Sequence, residues 1–255
     1  MKQEAEYFFA ALRFFTRLPA PRWVGHSAEQ LNHAARYFPL VGLLVGAIGA
    51  GVTLAAALLW PPQIAVLLGM GATLLATGAF HEDGLADSID GFGGGWTKEQ
   101  VLAIMKDSRI GSYGAIGIGM VLLAKLEALS AIAVSPAPTI AAALIAGHSV
   151  SRFASTTLIY ALDYARDDAS SKSKPLATRM GRGELALAAL CGLAPCLLLP
   201  AAQTVVALAL VALVTLLAAR YFVRRIGGYT GDCLGATQQL TELAFYLGLS
   251  CVCFS

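Results

Sequence analysis

FPLVGLLVGAIGAGVTLAAALLW, residues 38–60, contains no charged side chain. At about 1.5 Å of rise per residue, a helix of this length crosses the roughly 30 Å hydrocarbon layer of a bilayer. A helix on the surface of a soluble protein pairs an apolar stripe with a polar one. This stretch has no polar face, so it reads as a membrane span. The whole chain agrees: 57% of its residues are apolar, 13% are charged, and the mean hydropathy is +0.67. Soluble domains carry about 25% charged residues.

Further apolar runs follow. Residues 64–80 come after the turn Trp60-Pro61-Pro62-Gln63, and residues 111–134 end at Ser135-Pro136-Ala137-Pro138. Residues 139–162 make a fourth run, and 185–199 and 205–223 are divided at Pro200. Residues 243–254 are short for a span; they either cross incompletely or pack on the others. The expected fold is all-α, a polytopic transmembrane helical bundle of about six or seven spans. With no internal repeat and no low-complexity segment, residues 1–255 read as one domain.

The charges are asymmetric. Arg13, Arg17, Arg22 and Arg36 precede the first span. Lys98, Lys106 and Arg109 separate the second from the third, and Arg166, Lys172, Lys174, Arg179 and Arg182 the fourth from the fifth. Arg220, Arg224 and Arg225 close the sixth, whereas the turns at 61–63, 135–138 and 200–203 carry no charge. By the positive-inside rule the charged side, with the N-terminus, is cytoplasmic. Residues 1–36 read as an interfacial segment, with Phe8, Phe9, Leu12 and Phe15 near one helical face. A soluble cap helix is the alternative. No signal peptide is visible. Cys191, Cys196, Cys233, Cys251 and Cys253 form no C-x-x-C pair and read as packing residues.

The chemistry is expected in an acidic cytoplasmic segment, 81–110. Asp83, Asp87 and Asp90 recur at i, i+4 and i+7 and share one helical face. Like charges at this spacing destabilise a bare helix, and a hard divalent cation relieves them. Oxygen-only ligands favour Mg²⁺, held through one or two carboxylates, water and phosphate. An acidic face solvated at the membrane boundary is the plain alternative. Gly93-Gly94-Gly95 lacks a following Gly-Lys-Ser/Thr, so it is a turn or hinge and no P-loop. Lys106 and Arg109 are suitable donors to a diphosphate, and Asp107 to a metal or as a base. A loop binding lipid headgroups explains the two cations equally well. Inside the spans, Lys125 and Arg152 suit a bound anion, while a Glu127–Arg152 ion pair is the structural alternative; His148 lies nearby. In Gly227-Gly228-Tyr229-Thr230-Gly231-Asp232, Asp232 either completes the site or caps the next helix.

Several segments together resemble the cobalamin synthase (adenosylcobinamide-GDP ribazoletransferase) family. They are Phe15-Thr16-Arg17-Leu18-Pro19, Tyr37-Phe38-Pro39-Leu40-Val41-Gly42, and His81 with Asp83-Gly84-Leu85-Ala86-Asp87 and Asp90-Gly91. Lys106-Asp107-Ser108-Arg109-Ile110-Gly111, Ala124-Lys125 and Gly228-Tyr229-Thr230-Gly231-Asp232 complete the set. Glu82 stands at a variable place. The resemblance implies an enzyme of the bacterial inner membrane that needs Mg²⁺. It joins adenosylcobinamide-GDP to α-ribazole or its 5′-phosphate and releases GMP. It further implies Asp83, Asp87 and Asp90 as metal ligands, and Lys106, Arg109, Asp107 and Asp232 as catalytic. Arg17, His81, Lys125, Arg152 and Thr230 are implied to contact substrate. The implied partners are the corrinoid nucleotide, α-ribazole, membrane lipid and other enzymes of the corrinoid pathway, but no nucleic acid. Asp87-x-x-Asp90-Gly91 is also similar to part of the CDP-alcohol phosphotransferase motif, whose remainder is missing. A UbiA-like prenyltransferase would want a second acidic motif, and a transporter would more often show inverted repeats.

Overall fold

The computed structural model describes residues 2–25, 27–166 and 179–251. Lys172, Lys174, Cys253 and the end of the expected last helix lie outside the described residues. The protein is an all-α helical membrane protein. In chain order come α1 (Lys2–Phe15), α2 (Ala28–Ala34), α3 (Phe38–Ala56), α4 (Pro62–Thr77), α5 (Phe80–Gly94) and α6 (Lys98–Ile104). There follow α7 (Ser112–Ile132), α8 (Ala137–Ala161), α9 (Arg182–Leu193), α10 (Ala201–Ile226) and α11 (Gly231–Leu249). Among the described residues three helical stretches are long and apolar enough to cross a membrane: Glu29–Ala56, Ser112–Ile132 and Ala201–Ile226. A fourth is reached if the bent pair α4–α5 counts as one.

Three apolar runs fold differently from the simple reading. Residues 64–80 are not one helix. The chain turns by 88° between α4 and α5, because Gly78 and Ala79 are both left-handed, at φ 67° and 57°. Gly78 costs nothing there, whereas Ala79 carries strain on the order of 1–3 kcal/mol. The second departure is at 185–199, where α9 stops at Leu193 and gives way to a 3₁₀ turn, Ala194–Leu198. The third is the last helix, which starts at Gly231, a full three turns before residue 243.

The reason the last helix looked short is where it sits. α11 and α8 are interior helices, flanked by α3, α5, α7 and α10. They face protein, so Ser, Thr, Gln, His and Arg replace the leucines that lipid would demand. Contact is close: a Cβ on Gly42 of α3 would stand 2.3 Å from the His148 carbonyl oxygen of α8, and one on Gly46 2.6 Å from Ile145 Cα. Only glycine lets α3 and α8 approach so near.

Candidate active site

Helix α5 lies crosswise to α4, and three of its sides have different neighbours. On one side Gly84 touches α11, where an added Cβ would stand 3.2 Å from the Asp232 Cα. On another, Asp90 reaches α7. Its Oδ2 accepts from the Gly111 amide at 2.7 Å and its Oδ1 from the Gly114 amide at 2.8 Å. Those amides belong to the first turn of α7, which has no intrahelical acceptors and gains from a nearby negative charge. Asp90 therefore acts as the cap of α7 and is buried. The side chain that the spacing offered as a metal ligand beside Asp83 and Asp87 is thus engaged by two amides. The outward stripe keeps Asp83, exposed, and Asp87, half-buried.

Asp232 completes that stripe from the first turn of α11. Thr230 is the N-cap: its hydroxyl accepts from the Cys233 amide at 3.3 Å and donates to Asp232 Oδ2 at 3.3 Å. Thr230 is fully buried and so serves the cap, away from any open surface. Arg166 donates from Nη2 to Asp232 Oδ2 at 2.8 Å. A short bridge holds Arg166 in place. The Ala165 amide donates to the Tyr229 carbonyl at 2.8 Å, and the Tyr229 amide to the Asp163 carbonyl at 3.0 Å. A Cβ on Gly228 would stand 2.1 Å from Asp163 O, so this approach needs glycine. Sequence reasoning missed Arg166 as a site residue. Its only signal was membership of a basic loop.

The charge balance of this cluster is negative. Burial, then the neighbouring carboxylates of Asp83, Asp232 and Asp90, push the Asp87 carboxyl up to about 7, with Arg166 acting in the opposite direction. One guanidinium does not offset the group.

The remaining expected residues divide into two sets. Beside the stripe, the 106–111 loop is tethered to α5 through the Gly111–Asp90 bond. Within it, Arg109 Nη2 and Nε grip Asp107 at 2.6 and 3.0 Å. This contact draws the exposed Asp107 carboxyl down to about 2, which makes it a weak proton acceptor. Lys106 is exposed. Arg17 lies over the α4–α5 bend, where a Cβ on Gly78 would stand 2.4 Å from its Nε. His81 is buried and stacked on Phe15, ring centroids 5.0 Å apart.

Lys125 and Arg152 belong to the second set, inside the bundle. Lys125 Nζ is 2.7 Å from Glu242 Oε1, and His148 Nδ1 is 3.3 Å from Glu242 Oε2. Gln239 joins them, accepting from Lys125 at 3.1 Å and donating to Glu82 at 2.7 Å. Arg152 donates to the His148 carbonyl at 2.9 Å. The expected pair Glu127–Arg152 does not form, because Glu127 points outward and is exposed. Nor do Lys125 and Arg152 share an open anion pocket; Glu242, given no role from the sequence, neutralises Lys125. Glu82, taken as indifferent, is the link between this buried network and the acidic helix.

The profile of the cobalamin-5-phosphate synthase family matches residues 7–250. The chain belongs to the cobalamin-5-phosphate synthase family. Its relatives include three proteins named adenosylcobinamide-GDP ribazoletransferase. That of Shewanella amazonensis is 49% identical over 253 residues, covering 97% of this chain and 96% of the relative. That of Shewanella frigidimarina is 48% identical, covering 96% and 94%. That of Ralstonia nicotianae is also 48% identical, covering 95% and 94%. No solved structure matches the chain.

Whether the cluster suits the divalent cation expected for a cobalamin-5-phosphate synthase depends on its donors. Among the described residues no three of His, Cys, Asp or Glu converge tightly enough to cage a bare ion. Mg²⁺ does not need such a cage; one or two carboxylates suffice when water and substrate phosphates supply the rest. Asp83 and Asp87, with Asp232 opposite, give hard oxygen donors in excess of cation. The donor set fits Mg²⁺, and Asp90, bound to two amides, stands beside it.

Proposed function

We propose that the chain is an Mg²⁺-dependent adenosylcobinamide-GDP ribazoletransferase, converting adenosylcobinamide-GDP and α-ribazole, or its 5′-phosphate, to adenosylcobalamin, or its 5′-phosphate, and GMP. The observation that carries it is the meeting of Asp83, Asp87 and Asp232 with Arg166 at the charged end of the bundle. The relatives' name gives the substrates. In this reading residues 1–255 form one catalytic unit that crosses the bacterial inner membrane six or seven times. α8 and α11 are interior spans, and α5 lies along the cytoplasmic face.

Displacement at a diphosphate is chiefly positioning and charge stabilisation. Asp83 and Asp87 would hold the cation, which would supply neutralising charge to the diphosphate oxygens. The hydroxyl of α-ribazole attacks the phosphorus that carries the cobinamide. A phosphorus–oxygen bond forms to it, and the bond to the GMP oxygen breaks. Asp232 faces the stripe and takes the hydroxyl proton, a role Asp107 fills poorly because its bond to Arg109 lowers its proton affinity. Arg166 donates to the phosphates from the far side, and Lys106 and Arg109 approach them from the loop. Glu82 and the Lys125–Glu242 network hold α5 at its depth.

The test is detergent-purified protein with Mg²⁺ and both substrates, followed for GMP and the joined corrinoid together. Equimolar GMP and cobalamin are expected. GMP without joined product means hydrolysis and refutes the transfer reading.

A further inference from the structure

Behind the acidic stripe, α5 presents an apolar face. Leu85, Ile89 and Phe92 roof a cavity of about 620 Å³ walled by α10 and α11, including Leu217 and Leu240. Its size falls in the roughly 300–1,000 Å³ range that encloses a small ligand. Three polar features interrupt the apolar lining. Arg220 and Arg224 stand at successive turns of α10, and both are exposed. Neither makes a hydrogen bond or ion pair among the described residues. Their neighbour Arg225 is different: it is bound to the Gly95 carbonyl at 2.7 Å and lies over the Phe92 ring. The third feature is Ser88, 3% exposed, which borders the same cavity.

We propose that this groove is a binding site for one anionic phospholipid, with the phosphate on Arg220 and Arg224 and an acyl chain under α5. The charges decide the occupant: an apolar cavity with two free guanidiniums at its mouth complements an amphiphile with an anionic head. The groove opens where α10 meets the headgroup layer, since Arg220 and Arg224 end the apolar part of that helix. Because the roof is the helix that carries Asp83 and Asp87, a lipid here presses on the catalytic stripe from behind.

The test uses the full chain, delipidated in detergent, with phosphatidylglycerol, phosphatidylcholine or inorganic phosphate added. Native mass spectrometry counts bound lipid. The wild type should retain one phosphatidylglycerol at least tenfold more strongly than phosphatidylcholine. The double variant Arg220→Gln/Arg224→Gln, which removes only exposed, unpaired charges, should lose that preference. Ala218→Trp, filling the groove, should lower retention of both lipids. Equal retention of the two lipids by the wild type, an undiminished preference in the double variant, displacement of the lipid by equimolar inorganic phosphate, or a second copy of the chain in place of lipid would each overturn the proposal. If Ala218→Trp fails to fold, the double variant decides the matter.

Discussion

Replacing Asp90 separates two roles that a stripe of carboxylates leaves entangled. Its two oxygens accept from the Gly111 and Gly114 amides at 2.7 and 2.8 Å, and the side chain is 8% exposed. Asp90→Ala leaves both amides without an acceptor at a buried helix start. A hydrogen bond to a charged group contributes about 1.5–3 kcal/mol. Losing two, with partial relief from water, gives a cost of about 3 kcal/mol. For a protein of this size that lowers the apparent Tm by about 6–12 °C. The assay is thermal unfolding in detergent, with and without Mg²⁺, beside Asp87→Asn. Asp90→Ala should melt early yet keep its Mg²⁺-induced rise, whereas Asp87→Asn should melt normally and lose it. Gly114→Ala is an independent check, since its Cβ would stand 2.3 Å from Asp90 Oδ2 while removing no carboxylate. The reasoning is refuted if Asp90→Ala melts like the wild type and no longer responds to Mg²⁺.

Other outcomes follow from the same geometry. Without cation, Asp87 keeps a proton up to about pH 7 in the folded protein but only to about 3.8 when unfolded, so the folded metal-free protein binds more protons over that interval and loses stability as pH rises through it. Mg²⁺ displaces that proton, so its thermal shift should grow from pH 6 to pH 8, and Asp87→Asn should show no such growth. Glu242→Gln strands Lys125 in the bundle and should cost about 3–5 kcal/mol in unfolding measurements. Lys125→Met/Glu242→Leu should recover part of that loss, and no recovery would mean the ion pair is not what Glu242 serves. Arg166→Gln should reduce kcat by about a hundredfold or more, as removal of one donor to a developing charge does, while the Mg²⁺-induced thermal shift persists; loss of both would make Arg166 a structural residue only.

Much of the fold was legible because lipid imposes a simple rule on side chains. α3, α7 and α10 are long and apolar enough to cross a membrane and read as such. α8 and α11 obey a different rule, since protein surrounds them and small polar residues pack there. The beginning of α11, with Thr230 and Asp232, therefore looked like loop. Nothing in Thr77-Gly78-Ala79-Phe80 distinguishes an ordinary glycine from a right-angle bend, because the second left-handed residue is an alanine. The acidic stripe was visible through its helical spacing. That Asp90 caps a helix was not, since its partners are amides 21 and 24 residues away. Arg166 was hidden for the same reason: a backbone bridge to Tyr229 carries it to Asp232.

The most direct test of the central claim is GMP release from adenosylcobinamide-GDP, measured with α-ribazole and Mg²⁺ in wild type and in Asp83→Asn and Asp87→Asn proteins of normal thermal stability. The account predicts Mg²⁺-dependent release in the wild type, matched mole for mole by joined corrinoid, and at least a hundredfold loss in each variant. Near-normal turnover in either variant, or undiminished turnover in the wild type after chelation of divalent cations, would contradict it.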